Sequence, residues 1–323
     1  MNRLFLFSGL CHESWGLNKH TIYRLNFKKL KFIKFTAIGI GILLVIYVGL
    51  SAYGAREAME IPRLPLIYSP ASLELAYEDA SFHSRGDGVV LKGWYLPGIK
   101  NSVIMIVHGG FQNRVDDNVD TLGLTRALVK TGYSVLLFDL RGRGESEGKG
   151  QSLSNIELDI GGAVDYLEGR GYSDENICIL GFCTGAASAC IFASQNSLGA
   201  LILDGCFIDV PTEVARQASL IGLPQFLAYF FMPGGLFFIH VLYDYDMVNP
   251  IDVIHDVACP ILFIHEQSDE LITWEETLKL FRAADNPANE VWEVGDTQHS
   301  QAYRTHPTDF IEKVDSFLSA RMS

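Results

Sequence analysis

The sequence predicts an α/β fold in which a mostly parallel, eight-stranded sheet carries helices on both faces and follows one membrane-spanning helix. Short apolar runs alternate with helical patterns over residues 75–320, which is typical of strands buried on both faces. A Gly-x-Cys-x-Gly turn at 181–185 joins one such strand to a helix. Residues 35–53 contain no charged side chain and approach the length of about 20 residues that spans a bilayer as a helix.

The N-terminal part differs in charge from the rest of the 323-residue chain. Residues 1–34 hold seven basic residues and one acidic residue, although the whole chain has a net charge of −13. An acidic body argues against a nucleic-acid partner, because phosphate binding needs a basic face. The six cysteines follow neither zinc-ligand spacing nor a compact disulfide framework.

The charge pattern and the prolines predict the N-terminal organisation. We expect a basic segment at 1–34, a transmembrane anchor at 35–53 and a stem without regular structure at 54–74. The lysines just before the apolar run place the N-terminus in the cytoplasm and the acidic body outside it. A cleaved signal peptide is the rival interpretation, but its apolar region is normally shorter.

The apolar runs and helical periodicities then predict the elements of the body in order. The predicted strands cover residues 75–83, 89–95, 103–107, 134–139, 177–180, 200–203, 260–264 and 290–294. The predicted helices cover residues 119–130, 156–168, 184–195, 274–284 and 309–320.

Residues 206–258 interrupt this alternation with an insertion rich in aromatic and aliphatic residues. Apolar surface of this extent must be covered. We expect a helical cap over the site first. Ordinary core packing and contact with a membrane are the alternatives, in that order.

Five motifs follow the predicted strands at the edge where parallel sheets form their sites. They are His108-Gly109-Gly110-Phe111, Asp139 to Ser146, Gly181-Phe182-Cys183-Thr184-Gly185, Ile264 to Asp269, and Asp296 to Ser300. In this order they resemble the α/β-hydrolase superfamily over about residues 75–320, with the esterase-like and serine aminopeptidase-like members most similar.

The resemblance implies a nucleophile, an acid and a histidine in that order along the chain: Cys183, Asp269 and His299. Asp204, which also follows a strand, is the rival acid. The backbone N–H groups of Gly110 and Thr184 are the expected oxyanion donors, with Phe111 as the substitute for Gly110. His108 and the Arg141–Gly144 turn are expected to be structural.

Cysteine replaces the usual serine at the centre of the turn. A thiol attacks as the thiolate, which a helix N-terminus and a protonated histidine favour. We therefore expect a membrane-anchored hydrolase of carboxylic ester, lactone or thioester bonds, acting on a small, apolar acyl substrate without a metal or organic cofactor. An acyltransferase with the same triad and a non-catalytic binding protein of this fold are the alternatives.

Overall fold

The structure, a computed structural model, describes residues 19–149, 155–245 and 247–322. Residues 1–18 of the predicted basic segment lie outside the described residues. The chain divides into two compact units, Met1–Leu50 and Ser51–Ser323.

A single helix, α1 (Lys19–Met59), contains the predicted anchor and is longer than the sequence predicts. Its portion Phe27–Met59 is long and apolar enough to cross a membrane. The helix also continues into the predicted stem, and this part of the stem prediction is wrong. It ends shortly before Pro62, since a proline disfavours helical conformation in the residue that precedes it.

The second unit is built on one eight-stranded sheet with the order β1-β2-β4-β3-β5-β6-β7-β8. The pairs β1–β2 and β2–β4 are antiparallel and all other pairs are parallel. The sheet is therefore mostly parallel, as the sequence predicts. The strands are β1 (Glu78–His83), β2 (Val90–Leu96), β3 (Val103–Val107), β4 (Ser134–Phe138), β5 (Ile177–Phe182), β6 (Ala200–Asp204), β7 (Ile261–Glu266) and β8 (Glu290–Val294).

Helices follow most of the strands. They are α2 (Thr121–Thr131), α3 (Ile156–Gly169), α4 (Thr184–Ala193), α5 (Val210–Leu220), α6 (Gln225–Tyr243), α7 (Pro250–Val253), α8 (Trp274–Ala283), α9 (Ala302–Thr305) and α10 (Pro307–Ser319). Short 3₁₀ helices occur at Pro70–Leu73, Asp174–Asn176 and Ile254–Asp256.

The sheet has a hydrophobic core on each face. Successive side chains of a strand point to opposite faces, so Val103 and Met105 join the core beneath α3, α4 and α8, while Ile104 and Ile106 join the core beneath α2 and α10. Burial on both sides explains why the central strands read as continuous apolar runs.

The insertion between β6 and β7 is helical, as predicted, and consists of α5, α6 and α7. Arg216 of α5 binds both carboxylate oxygens of Glu276 in α8, each at 2.9 Å, and also donates to the carbonyl oxygen of Leu271. These contacts attach α5 to the loop that follows β7.

The segment between α1 and β1 is attached to the body although it has little regular structure. Arg63 donates to the carbonyl oxygens of Gly144 (2.9 Å) and Ser146 (2.7 Å) in the loop after β4. Asn113 donates to the carbonyl oxygen of Leu64 at 3.2 Å.

A buried ion pair connects the loop after β4 to α3. Arg141 donates from its backbone N–H and its guanidinium to the carboxylate of Asp159, at 2.8 and 2.7 Å. The side chain of Arg141 is 5% exposed and that of Asp159 is fully buried. An unpaired charge at this depth has no water to solvate it, so the two groups depend on each other.

We predict that Asp159→Ala lowers the free energy of unfolding by about 3–5 kcal/mol, because it removes the buried partner of Arg141 and leaves this guanidinium only the partly exposed carboxylate of Asp87. Urea unfolding of the full chain in detergent micelles measures the change. The control is Asp165→Ala, which removes a half-exposed ion pair with Arg85 and is expected to cost about 1 kcal/mol or less. Equal losses in the two variants would contradict the prediction.

Candidate active site

Four of the predicted catalytic residues and rivals lie at the carboxyl ends of neighbouring parallel strands. Cys183 follows β5, Asp204 ends β6, Asp269 follows β7 and His299 follows β8, and these four strands are neighbours in the sheet. Loops at the carboxyl ends of parallel strands meet at one edge, which explains how residues distant in the sequence come together.

The turn between β5 and α4 forces Cys183 into an unusual backbone conformation, with φ +51° and ψ −117°. Only glycine permits the close approach on either side of it. A Cβ atom on Gly181 would lie 2.6 Å from the Cα of Ala186, and one on Gly185 would lie 2.3 Å from the carbonyl oxygen of Val107. The turn therefore has the strained geometry of a nucleophile elbow.

The structure brings His299 and Asp269 into direct contact. His299 Nδ1 lies 2.7 Å from Asp269 Oδ2, and the Asp269 side chain is fully buried. The other oxygen, Oδ1, accepts from the backbone N–H groups of Leu271 (2.7 Å) and Ile272 (2.9 Å). Both carboxylate oxygens are therefore occupied, which fixes the orientation of the imidazole.

The other ring nitrogen of His299 faces the cysteine. Nε2 is buried and has no aligned hydrogen-bond partner in the described part of the chain. Burial alone would lower the pKa of His299, but the charge of Cys183 and the hydrogen bond to Asp269 outweigh it and raise this pKa well above its usual value. The sulfur of Cys183 therefore influences the imidazole electrostatically, although the two groups do not form a hydrogen bond of regular geometry. Catalytic hydrogen bonds are often poorly aligned in structures without substrate.

His108 shapes the loop after β3. The backbone N–H of Leu140 donates to its Nε2 at 3.1 Å, so the ring proton resides on Nδ1 and is donated to the carbonyl oxygen of Gly109 at 2.8 Å. Burial lowers the pKa of His108 to about 3, and the ring is neutral. The backbone N–H of Gln112 donates to the same carbonyl oxygen. In a trans peptide the next N–H, that of Gly110, points the opposite way.

Arg143 holds the following peptide of this loop, which the sequence did not reveal. Its guanidinium donates to the carbonyl oxygen of Gly110 at 3.0 and 2.5 Å. Arg143 was predicted only to shape its own turn. Gly110 in turn lies against Thr184, the first residue of α4, since a Cβ atom there would be 2.9 Å from the Thr184 hydroxyl. The two predicted oxyanion donors are thus neighbours beside Cys183.

A pair of buried carboxyl groups, Asp204 and Glu266, lies at the ends of β6 and β7 and was not predicted as a pair. Both are fully buried, and none of their four oxygens has a hydrogen bond of regular geometry within the described residues. Burial raises the pKa of Asp204 to about 6, although the neighbouring Glu266 and the charge of His299 act to lower it. Burial and the neighbouring Asp204 raise the pKa of Glu266 well above its usual value. Two neighbouring buried carboxyl groups cannot both ionise without a large electrostatic cost, so the pair favours a state that retains a proton.

The rival acid Asp204 does not replace Asp269 as the partner of His299. Its side chain faces Glu266, and its backbone carbonyl accepts from the N–H of Cys183 at 2.9 Å. The next residue, Gly205, lies under the imidazole, since a Cβ atom there would be 2.7 Å from Cε1 of His299. The sequence signal for the pair was available: two adjacent parallel strands both end in an acid.

Two further acids, Asp116 and Glu213, are buried close enough for His299 to influence them. Burial raises the pKa of each, and the positive charge of His299 opposes that rise. Glu213 comes from α5, so the insertion contributes to the surroundings of the histidine.

In the described ranges 19–149, 155–245 and 247–322, no three His, Cys, Asp or Glu side chains form a group that could hold a metal ion.

Comparison with known proteins gives a consistent result. Residues 99–233 match the protein family described as serine aminopeptidase, S33. The chain is 26% identical over 262 residues to the uncharacterized protein YfhR of Salmonella typhimurium, covering 73% of this chain and 78% of that protein. It is 26% identical over 208 residues to the lysophosphatidylserine lipase ABHD12 of Xenopus tropicalis, covering 59% of this chain and 49% of the lipase.

Among solved structures, the esterase PF2001 of Pyrococcus furiosus superposes with a TM-score of 0.70 at 24% identity, covering 82% of this chain and 99% of the esterase. At this identity the likeness establishes a common fold. The predicted α/β-hydrolase fold is thus confirmed.

We predict that Asp204→Asn reduces the pH dependence of stability between about pH 4 and pH 6. A carboxyl group whose pKa rises from about 3.9 when unfolded to about 6 when folded keeps a proton that the unfolded chain has released. The stabilising contribution of this carboxyl group is complete below its pKa in the unfolded chain. It is lost as the pH rises through its pKa in the folded protein. The asparagine does not titrate, so the variant should lose less stability over this interval.

Urea unfolding of the full chain at several pH values in detergent micelles measures this dependence. Asp256→Asn, which changes an exposed carboxylate, serves as the control and should follow the wild type. An unchanged slope in Asp204→Asn would contradict the prediction.

Proposed function

We propose that this esterase-like member of the α/β-hydrolase superfamily cleaves carboxylic ester, lactone or thioester bonds through Cys183, His299 and Asp269. The observation that carries the proposal is the position of His299, which is hydrogen-bonded to Asp269 through Nδ1 and faces the cysteine of the elbow through Nε2. This arrangement provides a nucleophile, a proton carrier and a group that orients the carrier.

The first half of the reaction forms an acyl-enzyme. His299 holds the proton of the Cys183 thiol, and the thiolate adds to the carbonyl carbon of the substrate. The carbonyl oxygen becomes an oxyanion, which accepts hydrogen bonds from the N–H groups of Gly110 and Thr184. The intermediate then collapses. The bond from the carbonyl carbon to the leaving oxygen, or to the leaving sulfur in a thioester, breaks, and His299 gives the leaving alcohol or thiol its proton.

The second half releases the acid. Water gives a proton to His299 and adds as hydroxide to the thioester carbonyl, and the Cys183 thiolate leaves. Fixed orientation matters in both halves because the same imidazole first donates a proton and then accepts one. Asp269 supplies this orientation because both of its oxygens are occupied by donors.

Two considerations favour esters and their analogues over amides. An alcohol or thiol leaves more readily than an amine, and a thiolate is itself a good leaving group, so an amide intermediate would tend to revert to substrate. The esterase PF2001 and the lipase ABHD12, by their names, act on esters. We therefore do not propose a peptide substrate, although the matching family is described as serine aminopeptidase, S33.

We also propose that α1 anchors the protein in a membrane, with the N-terminus in the cytoplasm and the hydrolase unit outside it. The uncharged run at 35–53 has the length of a bilayer span, and four lysines at positions 28 to 34 precede it. Positive charge beside a span is retained on the cytoplasmic side. Alkaline carbonate extraction of cell membranes, with protease protection of the hydrolase unit, tests this part of the proposal.

We predict that a thiol-reactive probe labels Cys183 in the full-length protein, and that Cys183→Ala loses both this label and turnover of ester substrates. The other described cysteines provide an internal control. Cys178 and Cys190 are buried, and burial raises the pKa of their thiols, so that they remain unreactive. Peptide mapping of the labelled protein identifies the site, and hydrolysis of a short-chain ester measures the turnover.

Wild-type activity in Cys183→Ala would exclude the thiol as nucleophile. Formation of an acyl-acceptor product in preference to free acid would instead assign the triad to acyl transfer.

We predict that Asp269→Asn lowers kcat by about 10⁴-fold, because the amide does not hold the imidazole in the required tautomer. The matched control is Asp204→Asn, which alters a carboxylate at the end of the neighbouring strand without removing a partner of His299. Its effect on kcat is expected to be far smaller. Steady-state kinetics with one soluble ester compares the two, and a larger loss in Asp204→Asn would reverse the assignment of the acid.

A further inference from the structure

Helix α6 has an apolar face that is exposed to solvent. Phe226, Tyr229, Phe237 and Val241 recur at helical spacing, and their exposed fractions range from 49% to 69%. The opposite side of the helix is turned toward the protein, with Ala228 buried. Soluble proteins rarely leave a contiguous apolar surface of this kind uncovered, so the face is expected to bind a partner.

The composition of this region points to a nonpolar partner. Residues 217–243 contain no Asp, Glu, Lys or Arg. The loop that leads into the helix adds Leu220 and Ile221, which are 54% and 85% exposed. A protein partner is normally met by a rim of charged and polar residues. A continuous uncharged surface is more typical of contact with the apolar part of a lipid layer.

The topology excludes a transmembrane orientation for α6, although the helix is long and apolar enough to cross a membrane. The chain reaches α6 from β6 and returns from it to β7, and these two strands are hydrogen-bonded neighbours. A helix that crossed the bilayer would place its two ends on opposite sides. Both ends therefore remain on the side that holds the sheet, and the helix can contact a membrane only along its surface.

The C-terminal end of α6 lies next to the end of the anchor helix. The hydroxyl of Tyr243 donates to the carboxylate of Glu60 at 3.3 Å, and Glu60 follows α1 directly. Tyr53, at the end of the uncharged run, is seven positions earlier, which corresponds to about 10 Å along a helix. If α1 spans the bilayer, this contact holds the end of α6 close to the membrane surface.

We propose that α6 lies in the plane of the bilayer surface, with the face formed by Phe226, Tyr229, Phe237 and Val241 embedded among the lipid acyl chains. The proposal rests on the anchoring part of the proposed function. Because the surface is uncharged, the contact requires no anionic lipid and is insensitive to salt, unlike basic interfacial helices.

This placement also bears on the substrate. Helix α6 follows α5, which is attached through Arg216 to the loop that carries Asp269, and Glu213 of α5 is buried close enough to His299 to interact with it electrostatically. The insertion that contacts the membrane therefore also contacts the surroundings of the candidate triad. An acyl lipid residing in the bilayer is the substrate class that this arrangement fits.

The test uses tryptophan fluorescence of the full-length protein in phosphatidylcholine vesicles. Phe226→Trp and Phe237→Trp place one reporter near the start of the exposed face and one toward its end. The wild-type spectrum is subtracted from each. The control is Ile99→Trp. Ile99 is 95% exposed and precedes β3. It therefore lies near the amino ends of the parallel strands, whereas the site lies at their carboxyl ends.

We expect both α6 reporters to emit at shorter wavelength than the control and to lose most of their emission when the vesicles contain phosphatidylcholine brominated near the headgroup. Similar quenching of the two reporters indicates that the helix lies in the plane of the membrane. The Ile99→Trp reporter should instead be quenched by aqueous iodide and remain unaffected by bromination.

Quenching of the α6 reporters by iodide, to the extent seen for Ile99→Trp, would overturn the proposal. Emission at short wavelength without quenching by brominated lipid would also overturn it, because protein would then cover the helix. Carbonate extraction of the wild type tests the anchor separately. A protein that resists extraction but shows exposed α6 reporters retains its anchor and refutes only the membrane contact of α6.

Discussion

The close approach of the β5–α4 turn to β3 is the constraint on which the site depends. Gly185 lies so near the carbonyl oxygen of Val107 that no side chain fits there. This contact brings the N-terminus of α4 beside the loop after β3 and holds Cys183 at φ +51°. The strain is sustained because the central strands are hydrogen-bonded on both sides and packed on both faces, so the turn cannot relax without disturbing the sheet.

Buried charge around His299 distinguishes this site from a simple triad. Asp269 orients the ring, while Asp204, Glu266 and Glu213 surround it without forming hydrogen bonds to it. Buried carboxyl groups without cationic partners tend to take up protons, and the raised pKa values of Asp204 and Glu266 follow this rule. The charge of Cys183 and the hydrogen bond to Asp269 outweigh burial and raise the pKa of His299 well above its usual value.

The helical insertion connects the chemistry to the surface of the molecule. Helix α5 is fixed by its ion pair with α8, and it carries Glu213 toward the histidine. Along the outer face of helix α6, the side chains of Phe226, Tyr229 and Phe237 are apolar or aromatic and exposed. One insertion therefore combines an element that is fixed beside the site with an element that is apolar and exposed.

The sequence by itself determined the order of strands and helices, because burial on both faces of a parallel sheet imposes continuous apolar runs. It also located the glycine-flanked turn and the residues that follow the strands. Only the tertiary structure decided which acid meets His299, since Asp204 and Asp269 both follow strands at one edge. It likewise revealed that Arg143 holds Gly110 and that Asp204 pairs with Glu266. These contacts depend on side-chain directions across neighbouring strands, and local sequence patterns do not encode them.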